Sequence, residues 1–430
     1  MQIHVVQPGQ SLFQIANAYG IDFNEIVEAN EIPTPEKLVV GQSLVIPIVG
    51  HYYTVKAGDS LWSIGQKFRI PYQTIANINQ INVNKPLQIG MRLYIPQDQK
   101  KRKIEVNAYV EPIGKAVSPT LENITRQLAP YLTYLSPFGY LAKRDGTLEG
   151  SPLGNLPDIA KANKNVLVMV IANIEEGAFS AELARIILND MEIQDKFLQN
   201  IIQIAKREGF EDIHFDFEFL RPEDREAYNH FLRKAKQMFQ KEGFLLSTAL
   251  APKTGATQKG QWYEAHDYKA HGEIVDYVII MTYEWGYSGG PPMPVSPIGP
   301  VREVLEYAVT EIPPEKILMG QNLYGYDWTL PYEEGKEYAK ALSPQQAIQL
   351  ALKYHTAIQY DYKNQAPYIE YIDENNKEHI VWFEDARSIQ AKFQLLKELN
   401  LRGISYWKIG LAFPQNWLLI TDNFEVVKRK

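Results

Sequence analysis

The chain has no cysteine among its 430 residues. Disulfides, thiolate metal sites, iron–sulfur clusters and cysteine nucleophiles are therefore excluded together. Long apolar runs are also missing: the longest, the predominantly apolar stretch from Val166 to Ile174, is half a membrane span at most. The first residues, Met1-Gln2-Ile3-His4-Val5-Val6-Gln7-Pro8, carry neither a basic leader nor an apolar stretch of about 7–15 residues, so no signal peptide is expected. Positive charge is in deficit, with 44 Lys and Arg against 51 Asp and Glu for a net −7, and the longest basic run is Lys100-Lys101-Arg102-Lys103. Neither nucleic acid nor an anionic membrane is an expected partner of such a chain. The 8 histidines include no His-Glu-x-x-His pattern, and His266 and His271, five apart, do not share a helix face, so no metal is expected. No glycine-rich phosphate loop is present, and no cofactor is expected. Gly286-Tyr-Ser288-Gly-Gly290 has the form of a nucleophile elbow, but Pro291-Pro292 stand where its helix has to begin.

What the chain does have is an ordinary globular balance, 45% hydrophobic and 22% charged, and enough length for two to four domains at roughly 100–200 residues each. Its 26 Tyr and 7 Trp exceed the needs of a core and suit the faces of carbohydrates.

The first hundred residues repeat at an offset of 49 without a gap. Val6 falls on Val55, Gly9 on Gly58, Ser11-Leu12 on Ser60-Leu61, Asn30 on Asn79, Gly41 on Gly90, and Ile46-Pro47 on Ile95-Pro96. Each copy predicts a short strand, a Gly-x-Ser turn whose serine caps a helix, a second helix and a closing strand. These residues resemble the LysM family over nearly all of 1–97, with domains expected at 1–49 and 50–97 and a charged linker at 98–103. The resemblance implies binding of N-acetylglucosamine polymers, chitin or peptidoglycan, in a shallow groove between two loops. It assigns those grooves to Gly9, Gln10, Ser11 and Leu12 with the Glu31–Pro33 segment, and to Gly58, Asp59, Ser60 and Leu61 with the Gln80–Asn82 segment. The alternative is that Gly, Ser and Asn here only build turns and caps.

Beyond the linker, short β-branched and aromatic runs alternate with helical patterns eight times, which is the count of a (β/α)₈ TIM barrel over 104–430. The stretch of about 327–385 is too long for a loop and predicts a small α+β insertion. Function in such a barrel sits at the C-terminal strand ends. The fourth predicted strand, Asp212-Ile-His-Phe-Asp-Phe-Glu-Phe219, directs Ile213, Phe215 and Phe217 to the helices and His214, Asp216 and Glu218 to the axis. Burying two carboxylates and an imidazole is costly, which favours a site over a core network.

Glu211-Asp212-Ile213-His214-Phe215-Asp216-Phe217-Glu218 resembles the family 18 glycoside hydrolase signature Asp-Gly-x-Asp-x-Asp-x-Glu, matching its last two acidic positions and departing at Glu211, Asp212 and His214. Met281-Thr-Tyr283-Glu284 resembles the family's Met-x-Tyr-Asp at the sixth strand, and Ser405-Tyr406-Trp407 its tryptophan at the eighth. The resemblance implies a retaining mechanism in which the substrate's own acetamido group is the nucleophile. Glu218 is then the general acid and base, Asp216 orients the acetamido group, Tyr283 donates to its oxygen, and Glu284, Trp407, Met281 and His214 line the sugar site. His214 is expected to bond Asp216, and its titration near neutrality to steepen the acid limb of activity.

The runs Met281–Pro292, Asn322–Pro331 and Trp382–Arg387, with two leading LysM modules, resemble the spore cortex-lytic N-acetylglucosaminidases of spore-forming bacteria. That resemblance implies cleavage of cortex peptidoglycan during germination, synthesis in the mother cell, and residence in the spore coat or cortex among its proteins. A chitinase of the same mechanism and a silent glycan-binding lectin are the alternatives.

Overall fold

The computed structural model describes residues 1–48, 50–79, 81–96 and 101–429. The groove residue Gln80, the domain boundaries at 49 and 97 and the linker residues 98–100 lie outside the described residues.

In the first repeat, Gln2–Val5 pairs antiparallel with Ser43–Ile46 around helices Leu12–Tyr19 and Phe23–Asn30. The second repeats this with Gly50–Thr54, Arg92–Pro96, Leu61–Phe68 and Tyr72–Ile78. The residues shared by the copies have visible structural tasks. Ser11 Oγ accepts from Gln14 N while Gln14 Oε1 accepts from Ser11 N, and Ser60 and Ser63 make the same capping box. The Asn30 side chain donates to Ile26 O and Val45 O and accepts from Val45 N, pinning the second helix to the closing strand; Asn79 does so with Ile75 and Tyr94. Leu12 and Leu61 point into the two module cores.

The larger, C-terminal part is a closed barrel of eight parallel strands. They run Arg102–Val110, Tyr134–Pro137, Val166–Ala172, Asp212–Asp216, Leu245–Leu250, Tyr277–Ile280, Ile317–Asn322 and Gly403–Trp407, the last pairing back to the first. Phe215 and Phe217 do face the helix layer, where they meet Phe231 and Tyr228 of helix Arg225–Lys241 at ring distances of 5.0 and 5.9 Å.

Three elements differ from expectation. The fourth strand ends at Asp216 rather than Phe219. The helical pattern that the sequence carries through 181–208 folds as two helices, Ala181–Asn189 and Met191–Glu208, because Asp190 leaves helical geometry to cap the second. The insertion holds a five-stranded antiparallel sheet, ordered Lys340–Leu342, Gly325–Leu330, Glu378–Trp382, Ala366–Ile372 and Gln359–Asp361, beside helix Pro344–Lys353. Its first two strands were not anticipated, since the Tyr-Gly-Tyr-Asp-Trp run reads equally as a decorated strand end.

Candidate active site

Asp216 and Glu218 stand where the fourth strand gives out. Beyond Asp216 the ladder is continued by a side chain: Asn173, just past the third strand, accepts from Glu218 N and donates to Glu218 O, both at 2.9 Å. This amide clamp fixes the Glu218 backbone at the barrel mouth, and Phe219, at φ 54°, then turns the chain away. The Glu218 carboxylate accepts from the Trp262 indole, Nε1 to Oε2, at 2.8 Å. Asp216 Oδ1 is buried and has no protein hydrogen-bond partner among the described residues.

Burial raises both acids, Asp216 to about 7, and the adjacent Asp216 charge pushes Glu218 further, well above the usual carboxylate range. Two such carboxyls titrate as a pair, and Glu218 is the member that keeps its proton. The arrangement therefore offers one acid and one anion side by side once the pH rises past the Asp216 value of about 7.

His214 lies one layer deeper and does not bond Asp216. Its Nδ1 faces Ser247 Oγ and its Nε2 faces the Tyr109 hydroxyl, each at 2.9 Å. Ser247 donates onward to Asp212 Oδ1, and Tyr277 donates to Asp212 Oδ2. Because the Ser247 proton is committed to Asp212, its oxygen accepts from His214 Nδ1–H, leaving Nε2 to accept from Tyr109. Burial depresses the imidazole to about 3, so the expectation of a titration near neutrality is overturned. The expectation that His214 contacts a sugar fails for the same reason: the ring is enclosed beneath the cavity floor.

Above this layer a cavity of about 310 Å³ opens at the C-terminal strand ends, lined by Asp216, Glu218, Met281, Tyr283, Glu284 and Trp407. Six site residues expected from sequence thus share one space. Edge contacts with Tyr109 and Phe138, at ring distances of 5.3 and 5.2 Å, hold the Trp407 indole in place. Glu284 adopts φ 67° and accepts from the Tyr324 and Tyr326 hydroxyls, both of which are supplied around the start of the insertion. Strain of this kind in a non-glycine residue persists where surrounding bonds enforce it. Tyr109, Glu111, Phe138, Ile174, Phe179 and Trp262 complete the lining and were missed in the sequence, where only their position at or beyond the C-terminal ends of barrel strands marks them. Among the described residues no cluster of His, Asp and Glu is arranged to hold a metal.

The sequence profile of Glycosyl hydrolases family 18 matches residues 107–412. The chain belongs to this family. Its family 18 domain follows two segments, 4–47 and 53–96, that match the LysM domain. Over its full length the chain is 64% identical to the cortical fragment-lytic enzyme of Bacillus subtilis, covering 100% of this chain and 99% of that one. The crystal structure of the Bacillus megaterium spore cortex-lytic enzyme SleL superposes with a TM-score of 0.96 at 59% identity, covering 100% of this chain and 99% of the other. That of Bacillus cereus SleL gives 0.88 at 51% identity, covering 99% and 98%. Family 18 membership makes the protein a glycosidase, and the cavity just described lies within the family 18 segment.

Proposed function

We propose that this glycosidase is an N-acetylglucosaminidase of the bacterial spore, acting on cortex peptidoglycan or its fragments during germination. Support for the substrate comes from full-length similarity to proteins named cortical fragment-lytic and spore cortex-lytic enzymes. The observation that carries the chemistry is that buried Asp216 and Glu218 line one cavity, with Asp216 Oδ1 lacking a protein partner among the described residues and Glu218 raised well above the usual carboxylate range.

On this reading an N-acetylglucosamine residue rests on Trp407, and Asp216 Oδ1 accepts the acetamido N–H while Tyr283 donates to the acetamido oxygen. That oxygen attacks the anomeric carbon as Glu218 transfers its proton to the departing glycosidic oxygen. The oxazolinium ion formed is balanced by the Asp216 charge. Glu218, now a carboxylate, takes a proton from water, which opens the ring from the face the leaving group vacated; configuration is retained. Glu284 and Met281 shape the sugar site, the domains divide near 49, 97 and 103, and the LysM pair attaches the chain to polymer, the loops at Gly9–Ser11 and Gly58–Ser60 standing in equivalent places of the two copies.

Mass spectrometry of spore-cortex peptidoglycan after digestion tests this, with chitin and the Glu218→Gln protein in parallel. Fragments ending in reducing N-acetylglucosamine, absent with the variant, are expected. Products from chitin alone would shift the substrate, and binding without cleavage would leave a lectin.

A further inference from the structure

The two repeats are alike in sequence but differ in what surrounds them. In the first, the loop before the closing strand is committed to the catalytic half. Val40 O accepts from Ile358 N at 2.9 Å, Gly41 O accepts from Arg387 Nη2 at 3.1 Å, and Val39 is buried in one apolar cluster with Leu342, Ala347 and Phe383. A Cβ on Gly41 would come within 1.9 Å of Ile358 O, so the backbone contact is close. The Asn30 and Glu31 carbonyls, at the wall assigned to glycan, accept from Gln345 of the insertion helix. Ser43 Oγ accepts from Ala386 N, and the amino terminus pairs with Asp422.

The same loop in the second repeat is free. Gly90 has the backbone geometry of Gly41, φ 85° against 84°, yet nothing lies within 4 Å of the place its Cβ would take. Ile89 is 72% exposed where its counterpart Val40 is 40% exposed. Among the described residues, no group outside its own module bonds this loop. The second repeat attaches through its sheet instead: Arg92 donates to Ala18 O and lies over the Tyr19 and Tyr52 rings. Its loops are thereby turned outward. Trp62, in the first helical turn, is 62% exposed, and Asn82, Asn84 and Gln88 are exposed on the same loop as Ile89.

We infer that the repeats divide the work: the first is an adapter that fixes the pair to the barrel, and the second, through Trp62 and Ile89, holds an N-acetylglucosamine-containing glycan. This rests on the reading of the modules as glycan binders given above. An indole covers the C–H face of a pyranose, a branched aliphatic side chain adds apolar surface to it, and carboxamides match its hydroxyl and acetamido groups. Anchoring the adapter to the insertion lets the second repeat tether polymer near the cleft at high effective concentration.

The test uses the full chain carrying Glu218→Gln, so that bound glycan survives. Binding of a soluble N-acetylglucosamine pentamer is measured by calorimetry, and retention on insoluble peptidoglycan by sedimentation. Trp62→Ala is expected to weaken binding at least tenfold, and Phe13→Ala, its repeat-equivalent at 63% exposure, less than twofold. Both side chains are exposed, so unchanged melting temperatures will show that each variant is folded. Equal losses, or a larger loss from Phe13→Ala, overturn the division of work while leaving the modules as binders. Undiminished binding in the double variant removes the modules from binding altogether, whereas failure of the substrate assignment is read separately from digestion by the unmodified enzyme.

Discussion

The indole nitrogen of Trp262 donates to Oε2 of Glu218 at 2.8 Å, across 44 residues of sequence. Trp262 also stacks on Phe219 at a ring distance of 5.9 Å and 10°, so the ring that holds the acid is itself held by the residue after it. With Oε2 engaged as an acceptor, the acidic proton of Glu218 belongs on Oε1.

Replacing Trp262 with Phe keeps the stack and deletes the bond. That bond lowers the Glu218 pKa against burial and the Asp216 charge, so its loss raises the pKa further. The alkaline limb of kcat, where Glu218 loses its proton, moves to higher pH. A carboxyl freed to rotate is misaligned for proton transfer, and kcat falls about tenfold with KM little changed. A pH–rate profile on soluble fragments checks both; a rise in KM alone would mark Trp262 as packing only.

Glu218→Gln preserves shape and the acceptor for Trp262 but has no proton to give. Loss of general acid catalysis costs about 10²–10⁴ in kcat, with glycan affinity retained. Asp216→Asn separates the partners: it removes the anion that balances the oxazolinium ion, and it removes the like charge that raises Glu218. Its remaining activity is expected to have an alkaline limb at lower pH than the native enzyme, the opposite direction to Trp262→Phe.

How far the sequence discloses this site follows from the range of the forces involved. Period-two alternation and the closing Glu218 make the fourth strand legible, because strand geometry fixes side-chain direction locally. Its true end at Asp216 is not legible, since the Asn173 clamp that replaces the ladder comes from another strand. Trp262 is invisible for a similar reason: no spacing ties a loop indole to an acid on the preceding strand. In the insertion sheet Gly325–Leu330 is defined by pairing with Glu378–Trp382, some fifty residues on, and Lys340–Leu342 only by pairing with Gly325–Leu330 in turn. The repeats are legible in full as folds, yet their differing surroundings depend on Gln345, Ile358 and Arg387, far along the chain.

His214 illustrates how environment overrides residue type. Enclosed by Tyr109 and Ser247 and depressed to about 3, it stays neutral through the working range. Its ring nitrogen shifts, followed by NMR from pH 5 to 8, are expected to remain those of a neutral imidazole. Asp216 and Glu218 therefore set the pH dependence, and His214→Asn should leave the midpoints of both limbs within about 0.3 units while lowering stability through the broken Tyr109–Ser247 bridge. A midpoint near 6.5 for His214 would return it to the role expected from sequence.

Gly41 and Gly90 form a matched pair for measuring the adapter contact. Both need a left-handed backbone, at φ 84° and 85°, so alanine at either position carries the same conformational strain, about 1–2 kcal/mol. Only at Gly41 does the added methyl meet a carbonyl, that of Ile358, which has to retreat and strain its bond from Ile358 N to Val40 O. Overpacking of this kind adds about 1–3 kcal/mol. In calorimetric melts Gly41→Ala should therefore lower the transition of the catalytic half as well as that of the first repeat, whereas Gly90→Ala should shift the second repeat alone. Equal shifts from the two substitutions would mean that the first repeat is not clamped to the insertion in solution, because the strain common to both would then account for the whole effect.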